Sequence, residues 1–179
     1  MNKKLLYVTG GFLMFISHLA AQGQNNDLPI KSIELIHCTH TDYGYTDNPL
    51  IVRDLHKRFL DIALDAIIET ADSADNRKFS WTAEALDPVY LWWQEASDER
   101  RNLFLQAVRS GQMDINASPF NMQCYANARQ TNVFLNWISP ELFEKFQPRF
   151  GMMNDVNGFP RSVAIGLLDK GINRIWMGI

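Results

Sequence analysis

Five short β-rich runs, separated by amphipathic helical segments, constrain this chain more than any other feature of its sequence. The expected strands are Ile33–Cys38, Lys78–Thr82, Gln112–Asn116, Arg149–Met153 and Arg174–Met177. Pro49 opens the first expected helix, with Asp47 or Asn48 as its cap. On that helix Leu55, Phe59, Ile62, Ala66 and Ile67 share a face at 3.6 spacing. Asp87-Pro88 reads as N-cap and first residue of a second helix. Asp98 is the expected cap of a third, which ends at Gly111. Ser139-Pro140-Glu141 opens another, and Arg161 to Lys170 forms one closed by Gly171. Strand alternating with helix is the pattern of a parallel α/β sheet or barrel. Such sheets gather ligands at the C-terminal ends of their strands.

The N-terminus departs from this pattern. Lys3 and Lys4 precede an apolar run from Leu5 to Ile16, and Ala20-Ala21-Gln22-Gly23 follows. Basic, apolar and small-residue segments in that order read as a secretory signal peptide over residues 1–23, which predicts export to the periplasm or the extracellular space. The apolar stretch is shorter than the ~20 residues of a membrane span, so no stable insertion beyond the leader is expected. Loss of Lys3 and Lys4 makes the formal charge of −3 more negative. No basic footprint for nucleic acid is present. With 46% hydrophobic and 21% charged residues, the rest of the chain is globular, not disordered. An oxidising compartment would allow Cys38 and Cys124 to pair, but sequence alone does not bring them within reach.

Chemistry concentrates after the strands. The first runs into His40-Thr-Asp42-Tyr-Gly44-Tyr45. Residues two apart on an extended segment point to one side. His40 and Asp42 can therefore offer a nitrogen and an oxygen to one ion, a donor pair suited to Zn²⁺. Gly44 permits a tight exit, and Tyr45 offers a ring for a ligand to pack on. The second strand leads into Trp81-Thr-Ala-Glu84, and Tyr45, Trp81 and Glu84 are the candidates for contact with substrate. Trp92 and Trp93 follow on a helix, where such residues are more often core. The third strand ends in Asn116-Ala-Ser-Pro119-Phe120-Asn121, polar but without acid or base. The fourth ends in Asn154-Asp155, where the carboxylate is a candidate ligand, nucleophile or general base, or else caps its own turn. No phosphate-binding glycine loop, paired CxxC or Gly-x-Ser-x-Gly elbow occurs.

Four pieces stand in order: His40-Thr-Asp42-Tyr-Gly44-Tyr45, Phe79-Ser-Trp81-Thr-Ala-Glu84, Gly111-Gln112-Met-Asp114 and Asn154-Asp155-Val-Asn-Gly158. Together they resemble glycoside hydrolase family 38, the retaining α-mannosidases with a zinc-dependent N-terminal α/β barrel. The resemblance runs over residues 28–179. It implies the N-terminal part of a (β/α)7-type barrel, mainly parallel, with surrounding helices. It implies zinc as cofactor, an oligosaccharide or glycan as substrate, His40 and Asp42 as ligands, and Asp155 as both ligand and nucleophile. Three departures mark a divergent branch. Cys38 stands where a second His is usual, Tyr45 where Trp is usual, and Val156-Asn157-Gly158-Phe159-Pro160 where Pro-Phe-Gly-His-Ser is common. The resemblance also places a fourth ligand, a His, and the general acid downstream of the portion matched here. The chain thus reads as an incomplete, inactive piece of such a domain. Two further readings remain: a metal-dependent polysaccharide deacetylase, in which Asp155 would be a general base, and a catalytically dead carbohydrate-binding protein.

Overall fold

A computed structural model describes residues 30, 33, 35–121, 127–156 and 158–178. The expected leader, Cys124 and Asn157 lie outside the described residues. The chain divides between Leu35 and Ile36, and every helix and strand below belongs to the second unit.

Helix α1, Pro49–Glu69, starts where Asn48 Oδ1 accepts a hydrogen bond from the Leu50 N–H at 3.0 Å. Its buried stripe is Val52, His56, Leu60, Ala63, Leu64 and Ile67. Ile62, expected on the inner face, is 65% exposed. Overlapping apolar stripes run along this helix, and packing selects the one that meets its neighbours. Strand β1, Trp81–Ala83, leads into α2, Leu86–Glu95. Asp87 does not cap α2. The cap position is Ala85, and the Asp87 side chain is buried, accepting from Trp137 Nε1 at 2.9 Å and the Tyr43 hydroxyl at 3.5 Å. Helix α3, Asp98–Ser110, is capped by Ser97, one residue earlier than expected, and Gly111 ends it at φ 77°. Strand β2, Met113–Ile115, follows.

Helix α4, Ala128–Leu135, was not foreseen, although Asn127 and Gln130 close a reciprocal capping box at its start. Helix α5, Pro140–Phe146, begins at the Ser139 cap, and strand β3 is Gly151–Met153. Helix α6, Arg161–Asp169, precedes β4, Ile175–Met177.

The architecture is mixed α/β with parallel strands. β1 pairs with β2 and β3 with β4, both parallel. A bridge between Asn116 and Phe150, with the Ala117 N–H donating to the Phe150 carbonyl at 2.9 Å, joins the two ladders. The expected first strand forms no ladder among the described residues. One bond, from the Thr82 N–H to the His37 carbonyl at 2.8 Å, holds it beside β1. Barrel closure is not seen among the described residues, and β4 leaves Ile175, Trp176 and Met177 about half exposed. One core cluster packs α1, α2, α3 and α5 on β1 and β2, and a second packs α4 and α6 on β3. Trp92 is core, 3% exposed, with Nε1 donating to Asp61 at 2.9 Å. No helix among the described residues is long and apolar enough to cross a membrane.

This frame sets the register of the polar groups. Glu84, Asn116 and Asn154 are each the first residue after β1, β2 and β3. They therefore share one end of the sheet, the C-terminal one.

Candidate active site

His40 enters this end from the segment beside β1. Its Nδ1 lies 2.6 Å from Glu84 Oε1. Its Nε2 faces the other way, 3.4 Å from Asp42 Oδ1 and 3.5 Å from Asp155 Oδ2. The donor atoms of His40, Asp42 and Asp155 all lie within 4.8 Å of one another. Asp42 leads into a tight turn at residues 44–46, where Gly44 takes φ 86°, a conformation costly for side-chain-bearing residues. Asp155 itself takes φ 54°, and its side chain is 68% exposed. Helix α6 has no side-chain cap.

Glu84 is buried below the triad, 8% exposed. Its Oε1 also accepts from Asn121 Nδ2 at 2.8 Å and Asn154 Nδ2 at 3.2 Å. Asn116, fully buried, braces this layer. Its Nδ2 donates to the carbonyls of Glu84 and Met152, and its Oδ1 accepts from the N–H groups of Met152 and Ser118. Burial alone would pull the His40 pKa down. The hydrogen bond and charge of Glu84, with Asp42 and Asp155 behind it, outweigh burial and hold the imidazole above its ordinary value.

The structure thus brings His40, Asp42 and Asp155 to one point and sets Glu84 behind the imidazole. Tyr45 is 90% exposed. Trp81 is half-buried and stacks on Phe79 with ring centroids 6.3 Å apart. Tyr45, Trp81, His40, Asp42, Glu84 and Phe120 all line a cleft of about 370 Å³. Asn116, Asn121 and Asn154 were missed as site residues. A signal for two of them was present, because Asn is depleted in strands and here directly follows two apolar ones.

The donor set fits a divalent cation of the zinc type. One imidazole nitrogen and two carboxylate oxygens converge, and the other imidazole nitrogen is already engaged by a carboxylate, as metal-bound histidines usually are.

Comparison with known proteins shows the family. The family described as Glycosyl hydrolases family 38 N-terminal domain matches residues 31–178. Alpha-mannosidase 2 of Arabidopsis thaliana is 30% identical over 90 residues, which is 50% of this chain and 7% of that protein. The matched stretch is thus a small part of the relative's length. With nearly all of its residues beyond the expected leader inside the family match, the chain belongs to the glycosyl hydrolases family 38 N-terminal domain.

Proposed function

We propose that this chain carries the cation-binding and nucleophilic half of a retaining, zinc-dependent glycoside hydrolase of the α-mannosidase type. The observation behind this reading is the convergence of His40 Nε2, Asp42 and Asp155 at the strand ends of a family 38 domain. Zinc, when bound, supplies Lewis-acid attraction for the hydroxyls of a sugar ring. Asp155 stands exposed at the rim, where its carboxylate can attack an anomeric carbon. In a retaining reaction that attack forms a glycosyl ester as the bond to the leaving oxygen breaks. A second carboxyl group, about 5–5.5 Å away, protonates that oxygen. Water then cleaves the ester and regenerates Asp155. Tyr45 and Trp81 line the adjoining cleft and offer ring faces to a sugar.

The family pattern requires a further imidazole beside the triad, and neither of the other described histidines joins that cluster. His37 stacks on Phe79 at 5.0 Å, and His56 is buried with Nε2 3.1 Å from the Thr41 carbonyl. The reading therefore assigns ion binding and the nucleophile to these strand ends, and the acid and the further imidazole to residues other than these. Export through the N-terminal leader is part of the same proposal. Nothing in the site favours the deacetylase or the inert binding protein.

Calorimetric titration of the metal-free chain with Zn²⁺ tests this. One equivalent should bind, and Asp42→Asn or Asp155→Asn should abolish saturable binding. In a protein that carries this domain with the rest of its barrel, a slow mechanism-based mannosidase inactivator should label Asp155. A label on another residue would remove the nucleophile assignment, and turnover of an aryl α-mannoside by the 179-residue chain would refute the division of labour.

A further inference from the structure

Glu84 lines the cleft, and one of its carboxylate oxygens is engaged beneath it. Its side chain is 7% exposed, and its Oε1 collects three nitrogen atoms: His40 Nδ1, Asn121 Nδ2 and Asn154 Nδ2. The two amides can only donate through these nitrogens. Asn121 is fixed in that orientation because its Oδ1 accepts from the Asn154 backbone N–H at 3.2 Å. An oxygen already accepting two amide N–H groups meets Nδ1 as an acceptor as well. Nε2 faces acceptors too, but at 3.4 and 3.5 Å against 2.6 Å to Glu84, so the proton of the neutral ring sits on Nδ1, in the shorter bond. A neutral ring with Nδ1 protonated carries its lone pair on Nε2. That nitrogen faces the oxygens of Asp42 and Asp155. A lone pair aimed at two carboxylates is repulsive unless a cation lies between them.

We infer that Glu84 is a positioning residue: it holds the His40 ring in the Nδ1–H tautomer, so that Nε2 is presented to a divalent cation shared with Asp42 and Asp155. The inference rests on the proposed metal site and assigns the part of that site that lies below it. Asn121 and Asn154 keep the Glu84 carboxylate from rotating, so ring and carboxylate are fixed before any ion arrives. Fixing them beforehand removes an ordering cost from metal binding, and outer partners of this kind typically carry 10–100-fold in affinity. It also gives Glu84 a task that Tyr45 and Trp81 do not share. Those two offer rings to the cleft, whereas the Oε1 atom of Glu84 is committed to three protein nitrogens.

Two measurements on the full chain test the inference. The first is the ¹⁵N spectrum of the His40 ring in metal-free wild-type protein, at a pH where the ring is neutral. The expected result is an Nδ1–H tautomer with a slowly exchanging, strongly deshielded proton. A predominant Nε2–H tautomer overturns the inference, whether or not any variant folds. The second is calorimetric Zn²⁺ titration of Glu84→Gln and Glu84→Ala. Gln can still accept from Nδ1–H, so it should weaken binding about 10-fold, and Ala about 100-fold. Equal affinities in wild type and both variants refute the positioning role while leaving the metal site standing. Failure of wild type itself to bind Zn²⁺ refutes the metal site, and the tautomer measurement still reads the Glu84–His40 relationship.

Discussion

Asn116 and Met152 exchange two hydrogen bonds: the Met152 N–H donates to Asn116 Oδ1 at 2.7 Å, and Asn116 Nδ2 donates to the Met152 carbonyl at 2.9 Å. A side-chain amide thus pairs with β3 as a neighbouring backbone would. Asn116 is fully buried, so every group it releases is stranded away from water. Asn116→Ala should lower unfolding stability by about 3 kcal/mol or more, because several buried polar groups lose their partners together. Asn116→Asp should do at least as much harm, since it aims a carboxylate at the Glu84 and Met152 carbonyls. Chemical denaturation of the three proteins measures this. A loss near that of an ordinary surface change would mean that the amide does not brace the strands.

Asp155 combines an exposed side chain with φ 54°. The left-handed conformation costs a typical side-chain-bearing residue about 1–2 kcal/mol, and Gly and Asn bear it best. In metal-free protein, Asp155→Asn and Asp155→Gly should retain wild-type stability, while Asp155→Ala should lose about 1 kcal/mol. All three should lose Zn²⁺ binding. Thermal melts with and without Zn²⁺ separate the two effects, and an Ala variant as stable as the Gly variant would show that the backbone there is unstrained.

The sequence carried the element order well, because caps and terminators are local. Asn48, Ser139, Gly111 and Gly171 act where their chemistry says they should. It also carried the candidate triad, because each of its residues follows a strand or an extended segment. It failed where a tertiary partner decides. Asp87 has the sequence context of a cap, yet Trp137, 50 residues away, claims its carboxylate. Glu84 lines the cleft as expected, but its hold on His40 shows only where Asn121 and Asn154 converge on the same oxygen. The segment before His40 has strand composition, but Leu35 and Ile36 remain largely exposed and no ladder forms around them among the described residues.

Helix α1 offers a direct test of stripe selection. Ile62 is 65% exposed, whereas Leu64, outside the stripe expected from the spacing, is fully buried in the core. Ile62→Lys should change stability by no more than about 0.5 kcal/mol. Leu64→Ala should cost about 2–5 kcal/mol, the sum of lost transfer energy and the cavity left behind. Reversal of these two magnitudes in urea denaturation would show that the helix packs through the stripe first expected from its spacing.

His56 gives the fold a pH dependence of known sign. It lies on the buried face of α1, between the rings of Tyr43 and Phe59, with Nε2 3.1 Å from the Thr41 carbonyl. Burial lowers its pKa, and the bond to Thr41 offsets only part of that. The unfolded chain therefore takes up a proton at a higher pH than the folded one. The contribution of His56 is fully present above its unfolded value of about 6.5 and is lost as pH falls through the lower folded value. His40 has a raised pKa and contributes in the opposite direction, so the whole-protein profile mixes the two. His56→Gln isolates the first term, because Gln can still donate to the Thr41 carbonyl but does not titrate. In metal-free protein, the stability difference between wild type and this variant should be constant above about pH 7. It should move against the wild type from about pH 6.5 downward. Denaturant midpoints at half-unit pH steps would show this, and a difference that is flat from pH 7.5 to 5 would mean that the His56 ring protonates as readily in the folded chain as in the unfolded one.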